Sequence, residues 1–174
     1  MAFYFNHEHA TCGGAVESTN QIVAGSVFCA AAGGNGVQQS DFALLRITSP
    51  IPAAANMYFS GWDANDVASP SGVSIHHPAG DVKKISTYTD PLVSTNYGGT
   101  AAGTTHWHVQ WVATQTNYGI TEPGSSGSPL FNSAHRLVGD LSGGPSSCTA
   151  TDKSDYYGKF AYSWTSCGTT AANQ

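Results

Sequence analysis

The sequence predicts an all-β protein, on the grounds of its apolar pattern, its turn residues and its low charge. Short apolar runs are separated by Gly, Pro, Asn or Ser, as is typical of β-strands, and no long helical pattern occurs. Only 10% of the residues are charged, against roughly 25% in ordinary domains, while glycine, serine and threonine are plentiful. These observations indicate a secreted β-sandwich or β-barrel. The predicted strands include residues 21–28, 42–47, 57–61, 105–112 and 137–141.

The charge balance limits the classes of partner. The formal net charge is -5 and no basic cluster occurs, which argues against nucleic acid as a partner. An acidic surface instead suits basic polypeptides. The sequence contains no membrane span, and no signal peptide follows Met1. We expect the natural amino terminus, with a signal and a pro-segment, to lie upstream of this sequence.

The most informative segment is 121–129, which reads Thr-Glu-Pro-Gly-Ser-Ser-Gly-Ser-Pro. It places Ser126 next to Gly127 and two residues after Gly124, inside a proline-flanked turn. Because glycine allows the backbone to double back, we expect the Ser126 hydroxyl to face a cleft. The amides of Gly124 and Ser126 would then converge as an oxyanion hole. Taken alone, the composition is also ordinary for a surface turn.

Further motifs lie on both sides of this turn. They are Gly-Trp-Asp at 61–63, Ile-His-His-Pro at 75–78, Lys-Ile-Ser at 84–86, Gly-Thr-Thr-His at 103–106, Val-Gln-Trp at 109–111, Gly-Gly-Pro-Ser-Ser-Cys at 143–148, Ser-Asp-Tyr-Tyr-Gly at 154–158 and Ser-Trp at 163–164. In this order they resemble the trypsin-like serine proteases, and specifically the bacterial lysyl endopeptidase branch. The resemblance covers nearly the whole chain from about Phe3 onward, and this many ordered matches are far more specific than one motif.

The resemblance implies a trypsin-like double β-barrel with an incomplete first barrel and a nearly complete second one. Residues 1–48 would form the C-terminal part of the first barrel, 49–56 the connection, and 57–174 the second barrel. The chain is expected to be truncated at both ends. Its opening resembles a strand that follows the catalytic histidine in the family, and it stops where the family continues into a terminal helix.

The resemblance also assigns the catalytic residues. Ser126 would be the nucleophile, and Asp41, at the start of an apolar strand, would be the triad carboxylate that orients the imidazole. Without the serine loop, Asp41 would be interpreted as an aspartate that opens a strand. The family's histidine motif does not occur before Asp41, and His7 and His9 are poor replacements. We therefore expect the isolated chain to lack the triad base and to be nearly inactive.

The remaining histidines are interpreted as structural or solvated. Alternation along one strand places His106 and His108 opposite Trp107 and Val109, but no third and fourth ligand for zinc is evident. No cofactor or metal is expected. The other histidines are His76 and His77, expected to be structural, and His135, expected in a solvated turn.

Specificity is assigned to Asp155, which matches the pocket acid of the lysyl branch. A buried carboxylate favours basic substrates, because an apolar side chain would leave its charge unpaired. The alternative is that Asp155 is one member of a charged surface loop. The pocket walls would come from Ser142, Gly143 and Gly144, where glycine allows an extended peptide to approach. Asp140 and Glu122 are lesser candidates for the pocket acid.

One departure from the family concerns the aromatic stack beside the catalytic histidine. The lysyl branch has histidine where this chain has Ser142, and tryptophan where this chain offers at best Tyr97. The strict lysine preference and the pH behaviour of the branch therefore do not transfer directly to this chain.

The four cysteines fit a secreted protease stabilised by disulfides. Cys12 and Cys148 match family cysteines whose partners lie further upstream and are absent here. Cys29 and Cys167 have no identified counterpart and are candidates to pair with each other, although sequence does not determine the connectivity.

The sequence therefore predicts a secreted serine endopeptidase that cleaves after basic residues, with Lys favoured and Arg possible, and that is a monomer when complete. One alternative is a non-catalytic homologue that binds peptides. Another is a structural or interaction domain in which Ser126 is inert, and a third is an enzyme of changed specificity.

Overall fold

The computed structural model of the chain describes residues 2–15, 22–32, 39–99, 104–115 and 117–166. The described chain is almost entirely β-structure, which confirms the predicted fold class. The strands are β1 Ala2–Tyr4, β2 Ile22–Ala24, β3 Ser26–Ala32, β4 Phe42–Ile47, β5 Gly72–His76, β6 Lys84–Tyr88, β7 Val93–Thr95, β8 His106–Gln110, β9 Ala113–Thr114, β10 Asn117–Tyr118, β11 Pro129–Asn132, β12 Leu137–Gly143 and β13 Ser154–Lys159. The helix α1 is Phe160–Ser166, and 3₁₀ turns lie at Ala53–Ala55, Pro78–Gly80 and Tyr97–Gly99.

The main element is a seven-stranded sheet in the order β6-β5-β11-β12-β13-β8-β7. All its pairs are antiparallel, and the sheet curls into the half-barrel of a trypsin-like fold. Strand β12 lies at its centre and carries a register shift between Leu141 and Gly143. A bulge of this kind bends a strand locally and ends its regular pairing. It therefore changes the direction of the chain at the residues predicted to line the substrate cleft.

The core of this sheet follows the alternation of the sequence. Trp107, Val109 and Trp111 are buried, as expected from their spacing, and pack with Tyr157 and Leu130. Residue His106, on the opposite face of β8, is also completely buried. The face of β8 that carries His106 is covered because the backbone of Ser40 lies against Gly158, which pairs with His106 in the sheet.

The amino-terminal region forms two small sheets, β1 with β2 and β3 with β4. Strand β4 begins at Phe42, directly after Asp41, as predicted. The domain boundaries at 48 and 56 remain a prediction.

The predicted strand at 57–61 is wrong. These residues carry no strand, and Tyr58 and Phe59 are 90% and 80% exposed. The segment reaches the sheet only at its end, where Trp62 bridges to Leu137. An apolar run predicts a strand only if a neighbouring strand pairs with it, and none does so within the described residues.

No helix in the described residues is long and apolar enough to cross a membrane.

Candidate active site

The segment 121–129 folds into two tight turns directly before β11. Gly124 and Gly127 have φ of 101° and 77°, a region that glycine adopts without strain. A Cβ at Gly124 would also lie 3.3 Å from the Gly80 amide nitrogen and from the His77 carbonyl oxygen. The glycine spacing therefore matters for conformation, and at Gly124 for packing against the Pro78–Gly80 turn as well.

The two turns leave two backbone amides without an acceptor. Within the loop, the amide of Ser125 donates to Glu122 O at 2.9 Å and the amide of Ser128 donates to Ser125 O at 3.0 Å. The amide of Gly127 donates to the carbonyl oxygen of Leu141 at 2.8 Å. In the described part of the chain, the amides of Gly124 and Ser126 donate to no oxygen. These are the two donors that the sequence predicts for an oxyanion hole.

Ser125 and Ser126 differ in their exposure to solvent. Ser126 is exposed, and its hydroxyl has no hydrogen-bond partner among the described residues. Ser125 is 1% exposed, and its Oγ lies 3.0 Å from Nδ1 of His76. The structure thus makes Ser126 the accessible hydroxyl and Ser125 an internal one.

Asp155 lies completely buried on β13 and contacts Thr121, at the start of the segment that carries Ser126. Its Oδ2 accepts three hydrogen bonds: from Trp111 Nε1 at 2.6 Å, from Thr121 Oγ1 at 2.7 Å and from Ser146 Oγ at 2.7 Å. Its Oδ1 is buried with no partner in the described part of the chain. Buried polar atoms are nearly always satisfied, so an unpartnered carboxylate oxygen indicates a place for a donor from outside.

Burial also sets the charge state of Asp155. Desolvation raises the pKa of this carboxyl, and the hydrogen bonds from Trp111, Ser146 and Thr121 oppose the rise. A cation placed against Oδ1 would favour the carboxylate form and reverse the effect of burial.

Two glycines lie beside this carboxylate. A Cβ at Gly144 would collide with Oδ1 of Asp155, so the close approach of the chain to that oxygen requires glycine. Gly143 has φ of 149° at the end of β12, and a Cβ there would lie 3.2 Å from the Tyr97 hydroxyl. Ser142 is half-buried, and its Oγ lies 3.1 Å from Nε2 of His106. The predicted wall residues thus lie together at one end of β12.

Asp41 reaches the same end of the sheet from β4. It is half-buried with φ of 54°, and Ser40 before it is held by a 2.8 Å hydrogen bond between its Oγ and that of Ser163. Burial lowers the pKa of His106, and the charge of Asp41 opposes part of this decrease. Asp41 therefore lies near the Ser142 side of the cleft, although no described histidine connects it to Ser126.

Comparison with known proteins agrees with this geometry. The profile of a family described as lysyl endopeptidase, C-terminal domain, matches residues 1–158. The chain belongs to the lysyl endopeptidase family. A lysyl endopeptidase of Pseudomonas aeruginosa strain PAO1 is 37% identical over 128 residues, which cover 70% of this chain. The chain spans about a quarter of that relative's length, since the match covers 26% of it.

Asp140 is a member of this site that the family resemblance does not assign. It lies beside Gly158 on β12 and is partly buried. Burial, reinforced by the charge of Asp41, raises its pKa to about 8. Burial thus favours the neutral form of this carboxyl, and the role of Asp140 as a lesser candidate for the pocket acid stays a prediction. Glu122, the other lesser candidate, lies half-buried in the serine loop.

The aromatic cluster beside the site is partly as expected. The Tyr97 ring lies 5.7 Å from the His106 ring and 5.7 Å from the Tyr156 ring. Tyr97 and His106 therefore form an aromatic contact next to Ser142.

The other predicted residues make no hydrogen bond to Ser126 or Asp155 among the described residues. His135 is exposed in a turn, as predicted, with φ of 58°. His77 is half-buried and contacts the carbonyl oxygen of Asp81 at 3.1 Å. Cys12 and Cys148 are exposed and free. Cys167 and the side chain of Cys29 lie outside the described residues.

The contact between His76 and Ser125 was missed by sequence reasoning, which interpreted His76 only as structural. A histidine directly before His-Pro in a family motif gives no sign of its partner, because the two residues are 49 positions apart. Only the pairing of β5 with β11 brings His76 close to the serine loop.

Proposed function

We propose that this chain carries the nucleophile and the specificity pocket of a serine endopeptidase that hydrolyses peptide bonds after basic residues, with lysine favoured over arginine. The observation that carries the proposal is the buried Oδ1 of Asp155, which no described donor reaches. Membership of the lysyl endopeptidase family supports it. The proposal extends to polypeptide substrates and to a secreted protein.

The preference for lysine follows from the hydrogen bonds of Asp155. Its Oδ2 already accepts from Trp111, Thr121 and Ser146, which leaves one oxygen for the substrate. A bidentate guanidinium pairs best with two free carboxylate oxygens, whereas an ammonium is a compact charge that one oxygen can receive. An arginine side chain would therefore form only one of the two hydrogen bonds of a bidentate guanidinium–carboxylate pair.

The chemistry is assigned to Ser126 and the two free amides. The Ser126 Oγ would attack the carbonyl carbon after the basic residue, and its proton would pass to a general base. The amides of Gly124 and Ser126 would donate to the oxygen as it becomes negative. The amine product would leave with that proton, and water would then hydrolyse the acyl-enzyme.

The triad is assigned only in part. We propose Asp41 as the carboxylate that orients the imidazole and stabilises its charged form. We assign the general base to none of the seven histidines of this sequence. Loss of the triad histidine costs about a millionfold in turnover in such enzymes, so the isolated chain should be nearly inactive. Turnover of a lysyl ester by the purified chain at the rate of a complete protease would contradict this assignment.

The pocket is tested by binding, because binding does not require the base. N-acetyl-lysinamide and N-acetyl-norleucinamide differ only in the terminal group, and titration calorimetry gives their affinities for the purified chain. The lysine ligand should bind at least about tenfold more tightly, since the norleucine ligand leaves the carboxylate unpaired. Equal affinities would overturn the assignment of Asp155.

A second candidate function is a non-catalytic homologue that binds basic peptides. It is favoured by the absence, among the described residues, of any histidine hydrogen-bonded to Ser126. The coding DNA upstream of Met1 distinguishes the two. An in-frame histidine next to a cysteine in a Thr-Ala context would support the enzyme, whereas a start codon without it would support the binding protein.

A further inference from the structure

A buried hydrogen-bond chain runs beneath the serine loop. The Ser125 Oγ lies 3.0 Å from Nδ1 of His76, and Nε2 of the same ring lies 2.8 Å from Ser86 Oγ. All three residues are at most 1% exposed. His76 belongs to β5 and Ser86 to β6, so the chain fastens the loop to two paired strands of the main sheet.

Ser125 is the residue of the loop that lies between the two free amides. Its hydroxyl also accepts a long hydrogen bond from the Glu122 amide at 3.4 Å, and its carbonyl accepts from the Ser128 amide at 3.0 Å. The amide of Ser126 belongs to the peptide unit that follows Ser125 directly. Fixing the Ser125 side chain therefore limits the rotation of the backbone that presents these amides.

We propose that His76 is a positioning residue for the oxyanion hole, acting through Ser125 to hold the amides of Gly124 and Ser126 in place. This inference rests on the proposed function of the site. His76 does not touch the substrate, and the reaction does not use its proton.

The charge state of His76 agrees with this role. Burial and, to a smaller extent, the neighbouring His77 lower its pKa to about 4, against the opposing charge of Glu122. The ring is therefore neutral at pH 7, with one nitrogen that donates and one that accepts. Each neighbouring serine hydroxyl can donate or accept, so both contacts can be satisfied in either tautomer.

Two conservative substitutions of His76 test the hydrogen bonds of Nδ1 and Nε2 separately. An asparagine amide reaches the position of Nδ1 and can keep the contact with Ser125. A glutamine amide reaches the position of Nε2 and can keep the contact with Ser86. His76→Asn and His76→Gln are therefore a matched pair, and His135→Asn, in the exposed turn, is the control.

The readout compares two ligands that share the lysine side chain. N-acetyl-lysine ends in a carboxylate that can reach the oxyanion hole, and N-acetyl-lysinamide does not carry that charge. The ratio of their affinities reports on the two amides and does not require the general base. Calorimetry at pH 7 gives this ratio for the purified chain and its variants, and thermal unfolding gives their stability.

We expect His76→Gln to lower the carboxylate-to-amide ratio about tenfold, the size of one net hydrogen bond, while His76→Asn and His135→Asn stay within about twofold. Should the glutamine variant fail to fold, Ser125→Ala removes the same contact and should lower the ratio in the same way. An unchanged ratio in either folded variant, even with a lower melting temperature, would show a merely structural role and overturn the proposal.

Failure of the proposed function has a different signature. If neither ligand binds the unaltered chain, the lysine pocket itself is wrong, and the positioning role is overturned with it. If both ligands bind and the ratio does not respond to His76→Gln or Ser125→Ala, the pocket stands and only the role of His76 is overturned.

Discussion

The pocket around Asp155 and the region around Asp41 are built in opposite ways. Asp155 lies inside one sheet and is held by three short hydrogen bonds from residues that are themselves buried. Asp41 reaches the sheet from a small neighbouring sheet, and the hydrogen bond of Ser40 to Ser163 fastens that segment. On the proposed function, the main sheet and its adjoining loops would form the substrate pocket, whereas catalysis would depend on how the Asp41 segment docks onto that sheet.

The largest expected effect is at the pocket. Asp155→Asn replaces the buried carboxylate by an amide of similar size, so a bound ammonium would lose its counter-charge. N-acetyl-lysinamide affinity should fall at least about a hundredfold, or about 3 kcal/mol. Asp90→Asn, at an exposed carboxylate, is the matched control and should leave the affinity unchanged. If Asp155→Asn lowered the affinity by less than threefold, the assignment of Asp155 as the pocket acid would be wrong.

The second effect is a pH dependence of stability that comes from the serine loop. The pKa of His76 falls from 6.5 in the unfolded chain to about 4 in the folded one. As the pH falls, the unfolded state therefore binds the proton before the folded state does. The chain keeps its full stability above pH 6.5 and loses part of it as the pH falls towards 4. The loss should be about 3 kcal/mol for the full shift. Urea unfolding at pH 7, 5.5 and 4.5 measures it.

The variant His76→Gln is the control for this decrease in stability with falling pH. It removes the titrating ring and should reduce the decrease in stability between pH 6.5 and 4.5 relative to the unaltered chain. An equal slope in the two proteins would assign the acid lability to other groups.

A smaller effect tests the docking of the Asp41 segment. In Gly158→Ala the new Cβ would collide with the carbonyl of Ser40, which should cost about 2 kcal/mol of stability by overpacking. Gly61→Ala is the control, because its Cβ would meet only the end of Arg136 at 3.5 Å. Urea unfolding gives the stabilities, and calorimetry gives the affinity for N-acetyl-lysinamide.

The affinity of Gly158→Ala distinguishes the two regions. It should stay within about threefold of the unaltered chain if the pocket is formed by the main sheet alone. A parallel loss of affinity and stability would show that the two regions are one unit, and the contrast drawn between them would be wrong.

The smallest effect is at Asp140. Its pKa rises from 3.8 to about 8, so the folded state holds the proton more tightly than the unfolded state. The contribution of Asp140 to stability is therefore greatest below pH 4, and it decreases as the pH rises towards 8. Asp140→Asn should remove this loss and make the chain about 1 kcal/mol more stable at pH 9, since the side chain keeps some contact with water. Equal stabilities at pH 9 would contradict the raised pKa.

Local motifs explain how much of the site could be predicted. Glycines at fixed positions around Ser126 determine which amides can turn outward, because their backbone conformations are available to few other residues. The family motif that contains Asp155 predicts a role in the pocket, and the structure buries this residue on β13 in contact with Thr121 and Ser146. Alternation along β8 predicted its buried face, with Trp107 and Val109 inside.

Apolar character alone was a weaker guide. The run at 57–61 resembles a strand, yet Tyr58 and Phe59 are exposed, because pairing and burial depend on neighbours that are distant in sequence. His106 was placed on the right face of its strand, but its complete burial depends on Ser40 and could not be predicted from β8.

The sequence by itself therefore determined the all-β class, the family and the serine turn, because each depends on residues close together in the chain. The tertiary structure alone decided that one oxygen of Asp155 has no described partner, that His76 contacts the Ser125 hydroxyl, and that the charge of Asp41 acts on Asp140. These properties depend on burial and on contacts across the sheet. Hydrogen-bond partners and pKa shifts follow from such three-dimensional surroundings, which no local pattern encodes.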